Sequence, residues 1–103
     1  NLELTRRGDL ARLVINGRFH AAEVMALAPR LRKYLPRIRR VIVDARESAD
    51  LDTPALQFLV SVRVTLPLEW TGSGVGAVRR IARRGGMETR LFEESTAAGE
   101  GAL

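Results

Sequence analysis

The ten residues from 44 to 53 hold four carboxylates, Asp44, Glu47, Asp50 and Asp52, and two hydroxyls, Ser48 and Thr53. Carboxylates at this density could hold a magnesium-like cation through oxygen, but more often they cap helices and face water. Thr53 directly precedes Pro54, and a nearly unbroken apolar run follows. Proline is favoured just inside a helix start, where its missing N–H would have gone unbonded anyway. That puts Thr53 at the N-cap, its oxygen accepting an orphan backbone N–H, with Asp50 and Asp52 beside the positive end of the helix dipole. A hydroxyl in this position is also a candidate for phosphorylation, because helix N–H groups stabilise the added negative charge.

Two other places could carry chemistry. "GSGVG" (72–76) lies between a strand-like and a helix-like segment, with Arg79 and Arg80 close behind. Gly74, Arg79 and Arg80 are therefore the candidates for binding an anion, and weak nucleotide binding is the sharpest form of that idea. The full dinucleotide fingerprint and the P-loop Lys-Ser/Thr pair are both missing, so a plain flexible turn is the favoured reading. His20 is the only histidine and the chain has no cysteine. No Ser-His-Asp set, thiol nucleophile or histidine-rich metal site can be assembled, and an enzyme is not expected. No resident cofactor is expected either.

The elements that must position these residues follow from periodicity. Residues 2–5 alternate and Leu13, Val14 and Ile15 are apolar, with Gly8 between them in a turn; this predicts a hairpin. From Ala21, apolar residues at Val24, Leu27, Leu31 and Leu35 mark one face of a helix. Pro29 should kink it or split it, and Pro36 should end it. "RRVIVDA" (39–45) reads as a buried central strand. A polar loop over 47–52 leads into a helix from Pro54 to about Val64, although Val60, Val62 and Val64 alternate as a strand would. "LEWTG" predicts a fourth inner strand, residues 78–84 a third helix stopped by Gly85-Gly86, and "METRLF" (87–92) a last strand. The order is ββαβαβαβ: an α/β fold with one mixed sheet, parallel inner strands and helices packed against it. One domain is expected over residues 1–92, with 93–103 a frayed tail or short helix.

At 103 residues, with 46% hydrophobic and 28% charged residues, the composition is that of a small globular domain. Apolar runs fall far short of a membrane span and no leader pattern opens the chain, which predicts a cytoplasmic protein. The formal charge is +5, almost wholly from arginine. Arg30, Arg32, Lys33, Arg37, Arg39 and Arg40, joined by Arg79, Arg80, Arg83 and Arg84, form a candidate basic face for an anionic surface or nucleic acid. Sparse aromatic residues argue against base stacking, so no specific nucleic-acid partner is expected. An arginine-rich genome explains the same total without any partner.

"LVINGRF", an amphipathic helix and then "RRVIVDARESADLDTPALQFLV" resemble the STAS domain, named for sulphate transporters and anti-sigma-factor antagonists. The likeness covers roughly residues 2–92. It implies a non-catalytic interaction module that docks on a regulator, an anti-sigma-type kinase, through the Asp44–Thr53 loop and the helix after it. The implied contact residues are Asp44, Glu47, Asp50, Asp52, Thr53, Pro54 and Gln57. In the family's Asp-Ser-Ser-Gly-Leu-like motif, Asp52 matches the aspartate and Thr53 the first hydroxyl. Pro54 falls on the serine that accepts phosphate, and Ala55 on the glycine. A switch would therefore have to use Thr53 or Ser48. The alternative implied is the small cytoplasmic STAS subunit of a phospholipid-transport ABC system, docked on its ATPase.

Overall fold

The structure is a computed structural model, and it describes residues 2–92. β1 (Leu2–Arg7) and β2 (Leu10–Ile15) form the expected hairpin, paired Leu4↔Leu13, with Gly8 at φ 59 in its turn. β4 (Arg40–Ala45) lies parallel to β2 on one side and to β6 (Leu68–Thr71) on the other, giving the sheet order β1-β2-β4-β6. The sheet is open and mixed, with the parallel inner strands expected. "LEWTG" is not an inner strand, however: β6 is an edge, with alternate residues exposed.

α1 (Ala21–Tyr34) connects β2 to β4, and α2 (Thr53–Thr65) connects β4 to β6. Both steps move the same way across the sheet, so right-handed crossovers place both helices on one face. Val41, Val43 and Ala45 point into that layer and are buried with Ile15, Leu56 and Leu59. α1 is one helix rather than two pieces, with Pro29 inside it, and a 3-10 turn at Leu35–Arg37 contains Pro36. α2 is helical despite its alternating valines, because Leu56, Leu59 and Val62 share a buried face at helical spacing.

The chain after α3 (Val75–Arg84) departs from the expected order. "METRLF" is not a strand: Glu88–Phe92 form α4, a short helix packed on α3 and α2. Gly86 at φ 75 turns the backbone, the Met87 N–H donates to Ala82 O at 2.8 Å, and Leu91 fills the core. Trp70 of β6 then stacks on Phe92 at 4.6 Å and donates its indole N–H to Leu91 O. Short segments of mixed propensity follow their tertiary partners, and here the partner is the ring of Trp70 rather than a strand edge. The tail expected over 93–103 lies outside the described residues.

The sheet face turned away from the helices is uncovered among the described residues. It is self-paired: Arg12 meets Asp44 at 2.6 Å and Arg40 meets Glu69 at 3.1 Å across neighbouring strands. No helix among the described residues is long and apolar enough to cross a membrane.

Candidate functional site

Residues 46–52 are a clamped segment rather than a free loop. The Arg46 N–H donates to Ile15 O and the Asp50 N–H to Gly17 O, both at 2.9 Å. Two-residue strands β3 (Arg18–Phe19) and β5 (Asp50–Leu51) pair in parallel, and Phe19 and Leu51 drop into the core. Ser48 donates its hydroxyl to Asn16 Oδ1 at 2.7 Å. This second, small sheet has no periodic signature in the sequence.

Asp52, not Thr53, is the N-cap of α2. Its Oδ1 accepts the Ala55 N–H at 3.0 Å, while its Oδ2 accepts the Ala21 N–H of α1 at 3.1 Å. One carboxylate therefore joins the positive ends of two helices, which is where a negative charge is most favoured. Thr53 and Pro54 become the first two helical residues and are exposed. The capping role expected of Thr53 passes to Asp52 because only its two oxygens can reach both helix starts. Among the described residues the Thr53 hydroxyl makes no side-chain hydrogen bond.

His20 completes the junction. It is the N-cap of α1, and its backbone N–H donates to Glu23 Oε1 at 2.9 Å. Its Nε2 lies 2.9 Å from Asp50 Oδ2, and its Nδ1 4.0 Å from Asp52 Oδ2. His20 was not foreseen as part of this site. Only the pairing of Arg18–Phe19 with Asp50–Leu51, illegible in the sequence, brings it there.

The four carboxylates do not form one group. Alternation along β4 turns Asp44 to the uncovered sheet face, where it is buried between Arg12 at 2.6 Å and Arg46 Nε at 3.3 Å. Asp50 and Asp52 lie on the helix side with His20, and Glu47 is exposed. Among the described residues no group of three such side chains is placed to hold a metal ion.

The glycine loop has a packing role. The Gly74 N–H donates to Ala45 O at 2.8 Å and is not free for an anion. A Cβ on Gly74 would collide with the carbonyl of Arg46, and one on Gly72, at φ 103, with that of Ala45. The close approach of this loop to the end of β4 is what demands glycine. Arg79 lies over the Phe92 ring at 4.8 Å and 3.5 Å from Glu88, while Arg80 is exposed. Gly74, Arg79 and Arg80 are thus each placed, but not as one cradle.

Beyond Pro54, the exposed face of α2 carries Gln57, Ser61, Val64 and Thr65 and no charge. Val64 is 83% exposed. Grooves run along both flanks of the helix. One of about 250 Å³ is floored by Leu31, Phe58 and Val62 against α1; another of about 500 Å³ is lined by Gln57, Val60 and Met87 against α4.

No family model matches this chain, and neither a curated protein nor a solved structure matches it.

Proposed function

We propose that the protein is a non-catalytic, STAS-like interaction module that docks on a regulatory protein through residues 44–53 and the exposed face of α2. The observation that carries this is the combination of a rigid helix junction, fixed by Asp52, with an uncharged helical face between two grooves. Surfaces depleted of charge at their centre and polar at their rim are typical of protein interfaces. Thr53, Pro54 and Gln57 form the exposed start of that face, with Asp50, Asp52 and Glu47 at its rim. Asp44, buried on the opposite face of the sheet between Arg12 and Arg46, contributes only by anchoring the start of this segment.

A phosphate on Thr53 would add roughly −1.5 to −2 charges directly after Asp52. Because Asp52 holds the cap, the effect is repulsion at the docking face rather than loss of the helix start. Ser48 is the second acceptor of the proposal, but its hydroxyl is engaged with Asn16. The test is affinity capture of partners with wild-type protein, Thr53→Glu and Thr53→Ala. Thr53→Glu should lose partner capture by at least about tenfold, the scale of a disrupted interface contact, while Thr53→Ala retains it. Equal capture by all three would sink the proposal.

Pro54 favours a second reading. It occupies the place of the family's phosphate-accepting serine, and without that acceptor the same face suits constitutive docking on the ATPase of a phospholipid-transport ABC system. The two are separated by what is captured: an ATP-binding anti-sigma-type kinase in the first case, an ATPase with its permease in the second.

A further inference from the structure

The parallel strands and all three long helices share one direction, so the molecule has two dissimilar ends. Helices α1, α2 and α3 begin at the strand carboxyl ends, beside Asp50, Asp52 and Glu47. The opposite end gathers the β1–β2 turn, the last turn of α1, the 3-10 turn, the start of β4 and the end of α2. Two hydrogen bonds tie these together: Arg39 N–H to Asp9 O at 2.7 Å, and Val41 N–H to Pro67 O at 3.0 Å.

That end presents Arg7, Arg32, Lys33, Arg37 and Arg39, all exposed, beside the exposed carboxylate of Asp9. Among the described residues none of the five has an ion pair or a side-chain hydrogen bond. Helix dipoles account for Arg32 and Lys33, which stand in the last turn of α1. They do not account for Arg7 or Arg39, which lie on the hairpin and before β4. Interleaved with these cations are exposed apolar side chains, Pro36, Pro67 and Val64.

We infer that this basic end is a second interaction surface, which seats the protein on an anionic phospholipid bilayer. Charge complementarity and the apolar tips favour this occupant: cations engage headgroups while short apolar residues enter the interfacial layer. A single-stranded nucleic acid would need exposed rings for its bases. The one aromatic residue near this end, Tyr34, is half-buried with Arg6 over its ring at 6.0 Å. The inference shares Val64 with the exposed face of α2 and otherwise rests on residues outside it.

The experiment is flotation with vesicles of phosphatidylcholine alone and of two parts phosphatidylcholine to one part phosphatidylglycerol. Wild-type protein should float only with the anionic vesicles and be released by high salt. Arg37→Ala with Arg39→Ala should weaken the partition about 25-fold, fivefold for each charge removed near the surface. A charge-matched control, Arg18→Ala with Arg80→Ala, should change it by no more than about twofold, because charges beyond a Debye length are screened. Val64→Asp, at a site that bears no core contact, provides a second loss of binding that cannot be ascribed to misfolding. Flotation with phosphatidylcholine alone, equal partition of the Arg37/Arg39 variant, or tighter binding of a single-stranded RNA than of the anionic vesicles would each overturn the inference.

Discussion

Asp52 is the residue on which the junction depends, because it makes two caps with one side chain. Each N-cap of this kind contributes about 1 kcal/mol. Asp52→Ala should therefore lower stability by about 2 kcal/mol, and Asp52→Asn, which keeps a single oxygen acceptor, by about 1 kcal/mol. Urea denaturation monitored by circular dichroism measures both; equal losses would mean that only one of the two hydrogen bonds matters. Against a total of about 5–15 kcal/mol for a typical domain, the alanine variant still folds. It can then be used to ask whether docking needs the junction. The neighbouring Thr53 could not be distinguished from Asp52 as the cap by residue type, since both are good N-caps. The choice is made by Ala21, thirty-one residues away, whose N–H needs an acceptor.

At the scale of elements, the central strand, the hairpin and the two long helices were legible because each has a sustained period or a buried apolar run. The failures are the short pieces. β3 and β5 are two residues each and have no period, and residues 88–92 took the helical state because Trp70 and Ala82 supply their partners. α4 is also tethered by charge: Arg83 contacts both carboxylate oxygens of Glu88 at 2.9 Å. The hydrogen bond to Arg83 holds the Glu88 carboxyl below its ordinary value, and the same bond raises Arg83. For a carboxyl lowered in the folded state, the stabilising contribution is complete above the unfolded value of about 4.3 and disappears as pH falls through the folded one. The tether of α4 to α3 should accordingly weaken as pH falls below about 4.3, by the modest amount expected of an exposed pair. Trp70, the only tryptophan, reports this as a red shift of its emission as Phe92 leaves its ring. In Glu88→Gln the shift should already be present at neutral pH and lose its acid dependence. An unchanged acid transition in that variant would show that the pair does not hold α4.

For the whole molecule, the sequence supplied the number of arginines but not their arrangement. The two basic groups expected to merge stand on α1 and α3, with α2 and α4 packed between those helices. What the topology creates instead is a polarity along the helix axes. α1 has fourteen residues, so the acidic junction and the basic end are about 20 Å apart at 1.5 Å per residue. The Debye length at physiological salt is about 8 Å, so charge changes at one end are largely screened from the other. Charge changes at the junction and at the basic end should therefore act independently, although the two proposed faces meet at Val64. Thr53→Glu should leave vesicle partition within about twofold of wild type, and the Arg37/Arg39 double alanine variant should leave partner capture unchanged. Combining the two sets of substitutions should give the product of their separate effects, because sites this far apart with no shared contacts are additive within about 0.3–0.5 kcal/mol. Non-additivity beyond that margin, in flotation or in capture, would mean that the ends communicate through the helices themselves. The junction at Asp52, which links α1 to α2, would then be the place to look for the coupling.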